Sequence, residues 1–138
     1  MIKKRIIPSL LIDNRRLVKT IKFKEKKYVG DPLNAIKIFN EKFVDELIIL
    51  NISKNVNKIG IDYEFYRDLF SECFVPVTYG GGILSLNDAD KIFKLGVEKV
   101  CLNTSVLNNK YIIKEFVKKF GSQSIVVSID VKKNIFNQ

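Results

Sequence analysis

The sequence of 138 residues predicts an α/β fold assembled from parallel β/α units. Three observations predict this class. Short apolar, β-branched runs alternate along the chain with longer segments whose apolar residues have helical spacing. The connections between these segments are short. Polar or glycine residues follow the apolar runs, at the strand ends where parallel sheets gather their ligands.

The first predicted strand covers residues 5–12, and alternate side chains along it share one face. The lysine-rich stretch 20–30 is predicted to be a long loop, and loops of this length are often functional. Asp31 and Pro32 then predict the start of a helix that continues to about Lys42. An aspartate can cap the first helical amides, and proline is favoured at the first helical position.

The second predicted strand is the nearly continuous apolar run 46–52, as expected of a parallel strand covered on both faces. A helix is predicted over residues 62–72, and a third strand over 74–79. Three glycines follow it: Gly80, Gly81 and Gly82. Consecutive glycines leave backbone N–H groups open to an anion, although a plain tight turn is the alternative.

A capping pattern at Ser85 and Asp88 predicts the next helix, which Gly96 ends. A fourth strand is predicted over 99–104 and, after one more helix, a fifth over 124–130. The resulting strict alternation of strand and helix predicts a parallel sheet with right-handed crossovers.

Composition excludes several classes of function. No apolar run approaches the roughly 18 residues that a membrane span needs, and the short apolar N-terminal run, broken by Pro8, is read as a strand. The formal charge of +9 comes without a recognisable nucleic-acid motif. Cys73 and Cys101 lack metal-ligand spacing, which favours a reduced, cytoplasmic protein. The absence of histidine removes His-based triads and most zinc sites, so neither a metal nor a cofactor is expected.

Five parallel strands could form an open doubly wound sheet or part of a (β/α)8 barrel. An open sheet concentrates ligand groups at one switch point, whereas here polar residues recur at successive strand ends. These residues are Asp13, Asn51, Gly80 to Gly82, Asn103, Thr104 and Asp130. A full barrel needs roughly 250 residues. The sequence therefore predicts a single domain over 1–138 that forms slightly more than half of a TIM-type barrel.

Several motifs together resemble the cyclase subunit of imidazole glycerol phosphate synthase, a (β/α)8 barrel of histidine biosynthesis. They are Lys4-Arg5-Ile6-Ile7-Pro8, Leu17-Val18-Lys19, Val29-Gly30-Asp31-Pro32, Val44-Asp45-Glu46-Leu47, Gly80-Gly81-Gly82-Ile83, Asn103-Thr104 and Phe120-Gly121-Ser122-Gln123. The resemblance implies a lyase that takes ammonia from a glutaminase partner. It uses the ammonia to cleave and cyclise a phosphorylated, sugar-type substrate.

The resemblance also implies residue roles at the carboxyl ends of the strands. Asp130 matches a catalytic aspartate, and Lys19 matches a lysine that contacts substrate. One phosphate site matches the glycine turn (Gly80, Gly81, Gly82) together with Asn103 and Thr104. Bare amides and a hydroxyl suit a phosphate dianion. The alternatives are a strand-end cap for Asp130 and a helix N-cap for Thr104.

At the opposite ends of the strands, the resemblance implies a charged gate through which ammonia enters. Its members here are Arg5, Glu46 and Lys99. If the faces that carry them line the barrel interior, the charges meet there, and their pairing offsets much of the cost of desolvation. The alternative is that they are ordinary solvated strand ends.

Two positions depart from the family pattern. The other catalytic aspartate is replaced by Leu11, which cannot transfer protons, and Asn51 stands where the family typically has aspartate. Asp13 lies about 6–7 Å further along the strand, too far for simple substitution. Loss of this acid with retention of the gate resembles a paralogous branch, in which the barrel helps to deliver ammonia for amidation of surface-polysaccharide sugars.

Three functions remain open at this point: ammonia transfer within the cyclase family, phosphosugar binding without catalysis by a half barrel, and an unrelated basic binding module. The last three strands of a full barrel are absent from the sequence. The edges of the first and fifth strands are therefore expected to be open and to favour self-association.

Overall fold

The computed structural model describes residues 3–22, 24–54 and 56–131. Its strands are β1 (Ser9–Asp13), β2 (Arg16–Ile21), β3 (Glu25–Gly30), β4 (Leu47–Asn51), β5 (Val77–Gly80), β6 (Lys99–Leu102) and β7 (Ile125–Val127). Its helices are α1 (Pro32–Glu41), α2 (Val56–Ile59), α3 (Tyr63–Ser71), α4 (Leu86–Lys94), α5 (Thr104–Asn108) and α6 (Ile112–Phe120). Within the described ranges, no helix has the length and apolar character needed to cross a membrane.

One mostly parallel sheet organises the molecule, with strand order β3-β2-β1-β4-β5-β6-β7. The five parallel strands, β1, β4, β5, β6 and β7, neighbour one another in chain order. A doubly wound sheet would reverse this order at a switch point. The uninterrupted order confirms the predicted parallel α/β class and matches part of a TIM-type barrel.

Helix starts follow the predicted capping chemistry. The Asp31 carboxylate accepts a hydrogen bond from the Leu33 amide before α1, with Pro32 in the first helical position. Asp62 caps α3 in the same way. Before α4, Ser85 and Asp88 form the predicted capping box. These caps satisfy amides that the helices themselves leave without partners.

The core lies between the helices and one face of the sheet. Ile49 and Val100 on the strands, and Ile36, Ile92 and Phe116 on the helices, are fully buried. The opposite, inner face of the sheet is less covered. It carries residues in matched register across four strands: Leu11, Leu50, Gly80 and Cys101.

The predicted loop over 20–30 is wrong. Arg16–Ile21 and Glu25–Gly30 form an antiparallel hairpin whose first strand pairs with β1 through Leu11 to Val18. The second strand, β3, is almost wholly exposed and lysine-rich, so it lacks the apolar alternation that marks a strand. The hairpin covers part of the edge of β1 that was expected to be open.

Other element boundaries also differ from the prediction. The fifth strand is paired only over Ile125–Val127, and the fourth ends at Leu102 because Asn103 is the N-cap of the short helix α5, which Thr104 begins. The first strand starts at Ser9 rather than at residue 5. The short helices α2 and α5 were not predicted.

Candidate functional site

A cavity of about 460 Å³ opens at the carboxyl ends of the parallel strands. Each parallel strand or the segment after it contributes to the lining, as do two lysines of the hairpin. The lining includes Leu11, Asn51, Gly80, Gly81, Asn103, Thr104 and Asp130, together with Lys24, Lys26 and Lys54. The glycine turn and Asp130 therefore line the same cavity, although they lie far apart in sequence.

The glycines of the turn have a packing reason that is independent of any ligand. Gly81 has φ +107° and Gly82 has φ +74°, a region that favours glycine. A Cβ atom at Gly81 would overlap the carbonyl of Asn51. The turn thus packs directly against the end of β4 and leaves its own amides free of flanking side chains. A smaller cavity of about 50 Å³ lies between Gly82 and Thr104.

Asn103 and Thr104 divide their roles at the start of α5. Asn103 is the N-cap residue, but its side chain makes no capping bond. Instead, Asn103 Nδ2 donates to Asp130 Oδ2 at 2.9 Å. Thr104 is the first helical residue, so the N-cap interpretation of Thr104 is wrong. The amide of Asn103 thereby holds the carboxylate of Asp130 at the cavity.

Leu11 lines the cavity, and among the described residues Asp130 supplies the one carboxylate of the lining. Asp13, two residues further on, forms an ion pair with Lys26 Nζ at 2.9 Å. Lys26 Nζ also donates to the carbonyl of Ile52 at 3.0 Å. Asp13 lies outside the lining of this cavity, and its Oδ1 atom is buried with no partner among the described residues. Asp13 instead stabilises the hairpin through its ion pair with Lys26.

Lys19 lies away from the cavity. It is exposed on β2, directly opposite Lys27, and borders a separate groove against α1 with Ala35 and Phe39. Its neighbour Thr20, which points to the other face of the strand, lines the cavity. The lysines that do line the cavity are Lys24, Lys26 and Lys54. The sequence did not predict a role for any of them. Period-2 alternation would have found Lys26, had the hairpin been recognised.

The amino ends of the strands bring together the three predicted gate residues. The Glu46 carboxylate is buried, with Lys99 Nζ at 2.8 Å from Oε1 and Arg5 Nη1 at 3.5 Å from Oε2. Thr78, which sequence reasoning missed, donates its hydroxyl to Glu46 Oε1 at 2.7 Å. Thr78 pairs in register with Lys99 on the neighbouring strand, which no local sequence signal shows. The alternative of solvated strand ends is wrong for Glu46.

The pKa of Glu46 shows that this cluster favours the charged carboxylate. Burial acts to raise the pKa, but hydrogen bonds from Lys99 and Thr78, with the charges of Lys99 and Arg5, lower it below its ordinary value. Burial raises the pKa of the Cys101 thiol on the cavity floor, despite an opposing hydrogen bond from the Ser128 backbone. The two ends of the inner face therefore differ: one holds a paired anion, and the other offers amides, lysines and a neutral thiol.

The family model of histidine biosynthesis proteins matches residues 5–138. The chain belongs to this family. It is 54% identical, over 136 residues, to a protein of Pseudomonas aeruginosa whose provisional name is imidazole glycerol phosphate synthase subunit hisF2. This match covers 99% of the chain and 54% of the relative.

A second relative is the imidazole glycerol phosphate synthase subunit HisF of Methanococcus vannielii. The two are 41% identical over 137 residues, covering 99% of the chain and 50% of the relative. The Campylobacter jejuni protein provisionally named subunit hisF2 is 46% identical over 134 residues, covering 96% of the chain and 53% of the relative. The chain thus spans about half the length of these curated relatives, and its resemblance to the HisF subunit is confirmed.

Proposed function

We propose that this chain serves glutamine-dependent ammonia transfer, in the branch that supports amidation of surface-polysaccharide sugars. A glutaminase partner would release ammonia at the cluster of Arg5, Glu46 and Lys99. The carboxyl-end cavity would bind a phosphorylated, sugar-type molecule. The chain would form a single domain, slightly more than half of a barrel.

One observation carries the proposal: a single sheet face links the charged cluster at its amino end to the anion-compatible cavity at its carboxyl end. Leu11, Leu50 and Cys101 lie on this face between them. An apolar surface suits passage of neutral ammonia. The cavity contains Asp130, but the resemblance places a second acid where this chain has Leu11. Cyclisation needs both acids for proton transfer. Delivery of ammonia does not need the second acid, so the residues present fit ammonia transfer better.

The cavity chemistry supports phosphate binding. Gly81, Gly82 and Thr104 all line the smaller cavity, and glycine amides beside a hydroxyl suit an anion. Lys24, Lys26 and Lys54 add positive charge around the larger one. Asn103 is bonded to Asp130, so we assign it to positioning that carboxylate. Lys19 would contact a substrate only if the hairpin moved.

Titration with inorganic phosphate and with ribulose 5-phosphate, followed by NMR, tests the binding part. We expect the largest amide shifts at Gly81, Gly82 and Thr104. The Thr104→Val variant should bind at least fivefold more weakly, whereas Ser122→Ala, a distant hydroxyl change, should bind as the parent does. Shifts confined to other residues would contradict the proposal.

A second candidate is cyclisation in histidine biosynthesis, favoured by Asp130 at the cavity and by the name of the Methanococcus relative. We expect no turnover of the histidine-pathway substrate with ammonium salt, because Leu11 supplies no acid. Cyclisation above background would establish this candidate instead. Phosphosugar binding without glutaminase association would support a non-catalytic binding role.

A further inference from the structure

A second cavity, of about 270 Å³, lies between the turn that joins β1 to β2 and the start of α3. Its lining includes Arg15, Asn51, Ser53, Asp62, Phe65 and Tyr66. We call it the turn-side cavity. Its volume is just below the roughly 300–1,000 Å³ of sites for drug-sized ligands, so a fitting occupant is a smaller molecule.

Arg15 occupies a backbone position that suits glycine better than arginine. Asn14 and Arg15 join the two strands as a two-residue turn, with φ +48° and +64°. Turns of this kind favour asparagine followed by glycine. A side chain with Cβ in the left-handed region is strained. The gain that offsets this strain must come from the contacts of the Arg15 side chain.

The Arg15 side chain forms a fixed ion pair at the rim of the turn-side cavity. Its Nε and Nη2 atoms lie 2.7 and 2.6 Å from Asp62 Oδ2, and its guanidinium carbon lies 5.6 Å from the centre of the Phe65 ring. Asp62 Oδ1 accepts from the Phe65 amide at 3.2 Å. A carboxylate has about four acceptor positions, and these bonds use three of them. The pair therefore keeps one acceptor position on Asp62 and the Nη1 donors of Arg15, whose side chain is 63% exposed.

Uncharged polar groups line the deeper part of the cavity. Asn51 Oδ1 accepts from the Ser53 amide at 3.1 Å, and Ser53 Oγ accepts from the Asn14 amide at 2.9 Å. Accepting this bond leaves the hydroxyl hydrogen of Ser53 available to a ligand. The Tyr79 hydroxyl adjoins the side chains of Asn51 and Tyr66, and its oxygen is buried without a hydrogen-bond partner among the described residues. Burial raises the pKa of the Tyr79 and Tyr66 hydroxyls, so both remain neutral donors.

The charges and rings of the lining favour a neutral ligand that carries hydroxyl groups. Arg15 and Asp62 are the charged residues of the described lining, and their charges cancel. The larger cavity, by contrast, sets three lysines against one carboxylate. An anion here would meet Asp62, and a cation would meet Arg15, whereas a hydroxyl group both donates and accepts. Phe65 and Tyr66, with ring centres 5.0 Å apart, supply an apolar wall for C–H groups.

We propose that the turn-side cavity binds a neutral sugar ring. The ring hydroxyls bond to Arg15, Asp62 and Ser53, and the C–H face of the ring packs against Phe65 and Tyr66. This site is separate from the phosphate-binding cavity of the proposed function and requires neither ammonia nor a glutaminase. Asn51 borders both cavities, so the two ligands would lie on either side of one residue.

Titration with D-glucose and with N-acetyl-D-glucosamine, followed by amide NMR, tests the inference. We expect saturable shifts at the amides of Ser53, Gly60 and Phe65 with at least one of the two sugars. Arg15→Gly should bind that sugar at least fivefold more weakly. Its thermal midpoint should stay equal or rise, because glycine relieves the strain of the turn. Arg67→Ala is the matched control, since Arg67 is an exposed, ion-paired arginine of α3 outside the cavity lining; it should bind as the parent does.

Three results would overturn the inference. The first is the absence of saturable shifts at these amides with either sugar. The second is an equal or larger effect of inorganic phosphate on the same amides, which would make the cavity an anion site. The third is sugar binding by Arg15→Gly equal to that of the parent, together with a lower thermal midpoint. Arg15 and Asp62 would then only fasten the turn to α3.

Discussion

The two ends of the inner sheet face hold their charges in opposite ways. At the amino end, the Glu46 carboxylate is buried and its Oε1 atom receives bonds from both Lys99 and Thr78. At the carboxyl end, Asp130 is exposed and has the Asn103 amide as its partner, while the glycine turn offers amides to a cavity. The first arrangement stabilises the fold in one state. The second is open to an incoming anion.

The charged cluster at the amino end therefore contributes mainly to stability, and the cavity at the carboxyl end mainly to binding. A paired cluster resists change because removal of one partner leaves another charge buried. A cavity wall has no such buried charge to leave unpaired when one of its residues changes. Substitutions at the amino end should therefore alter stability, whereas most substitutions at the cavity should alter binding.

The largest expected effect is that of Glu46→Ala, which leaves Lys99 half-buried without its main anion and Thr78 without an acceptor. We expect a loss of about 3 kcal/mol in the free energy of unfolding, measured by urea denaturation. Glu98→Ala is the control, because Glu98 is exposed and lies 3.8 Å from the same lysine; its loss should stay under about 0.5 kcal/mol.

The double variant Glu46→Leu with Lys99→Met refines that prediction. Replacing a buried ion pair by apolar residues is often close to neutral. We therefore expect the double variant to recover most of the stability that Glu46→Ala loses. Equal losses for the two variants would mean that packing, not charge pairing, holds this end together.

Gly81→Ala should be the exception at the carboxyl end, with a loss of about 2 kcal/mol in unfolding free energy. The new Cβ would overlap the Asn51 carbonyl, at a φ that alanine disfavours. Gly30→Ala is the matched control, because a Cβ atom at Gly30 would enter open space and its φ lies outside the left-handed region. A Gly81→Ala protein as stable as the control would show that the turn relaxes without cost.

The sequence predicted the parallel α/β class because capping residues and apolar runs are local signals. The three members of the amino-end cluster came from the family resemblance, and the structure brings them together. The sequence missed the hairpin, since Lys26 and Lys27 on β3 conceal the alternation of a strand. It consequently did not place Lys24 and Lys26 at the cavity, whereas the prediction for Lys19 came from the family resemblance and stays a prediction. Thr78 and the bond between Asn103 and Asp130 depend on register between distant strands, which no single segment encodes.

A smaller effect is expected in the acid range. Because the folded pKa of Glu46 is lowered, its carboxylate contributes stability above the unfolded pKa, near 4.3. This contribution is lost as pH falls from there through the folded pKa. Unfolding free energies measured from pH 6 to pH 3 should therefore decline less steeply in Glu46→Gln than in the parent chain. Parallel curves would show that Glu46 does not contribute to the acid sensitivity.

The smallest expected change in stability is that of Asn103→Ala, about 0.5 kcal/mol, because the bond to Asp130 lies at an exposed site. The structure commits this amide to the carboxylate, so we expect phosphate affinity within twofold of the parent, measured in the same NMR titration. Thr104→Val provides the contrast, with at least fivefold weaker binding and little change in stability. If Asn103→Ala weakened phosphate binding as much as Thr104→Val does, Asn103 would be a ligand of the phosphate. It would then not serve only to position the carboxylate of Asp130.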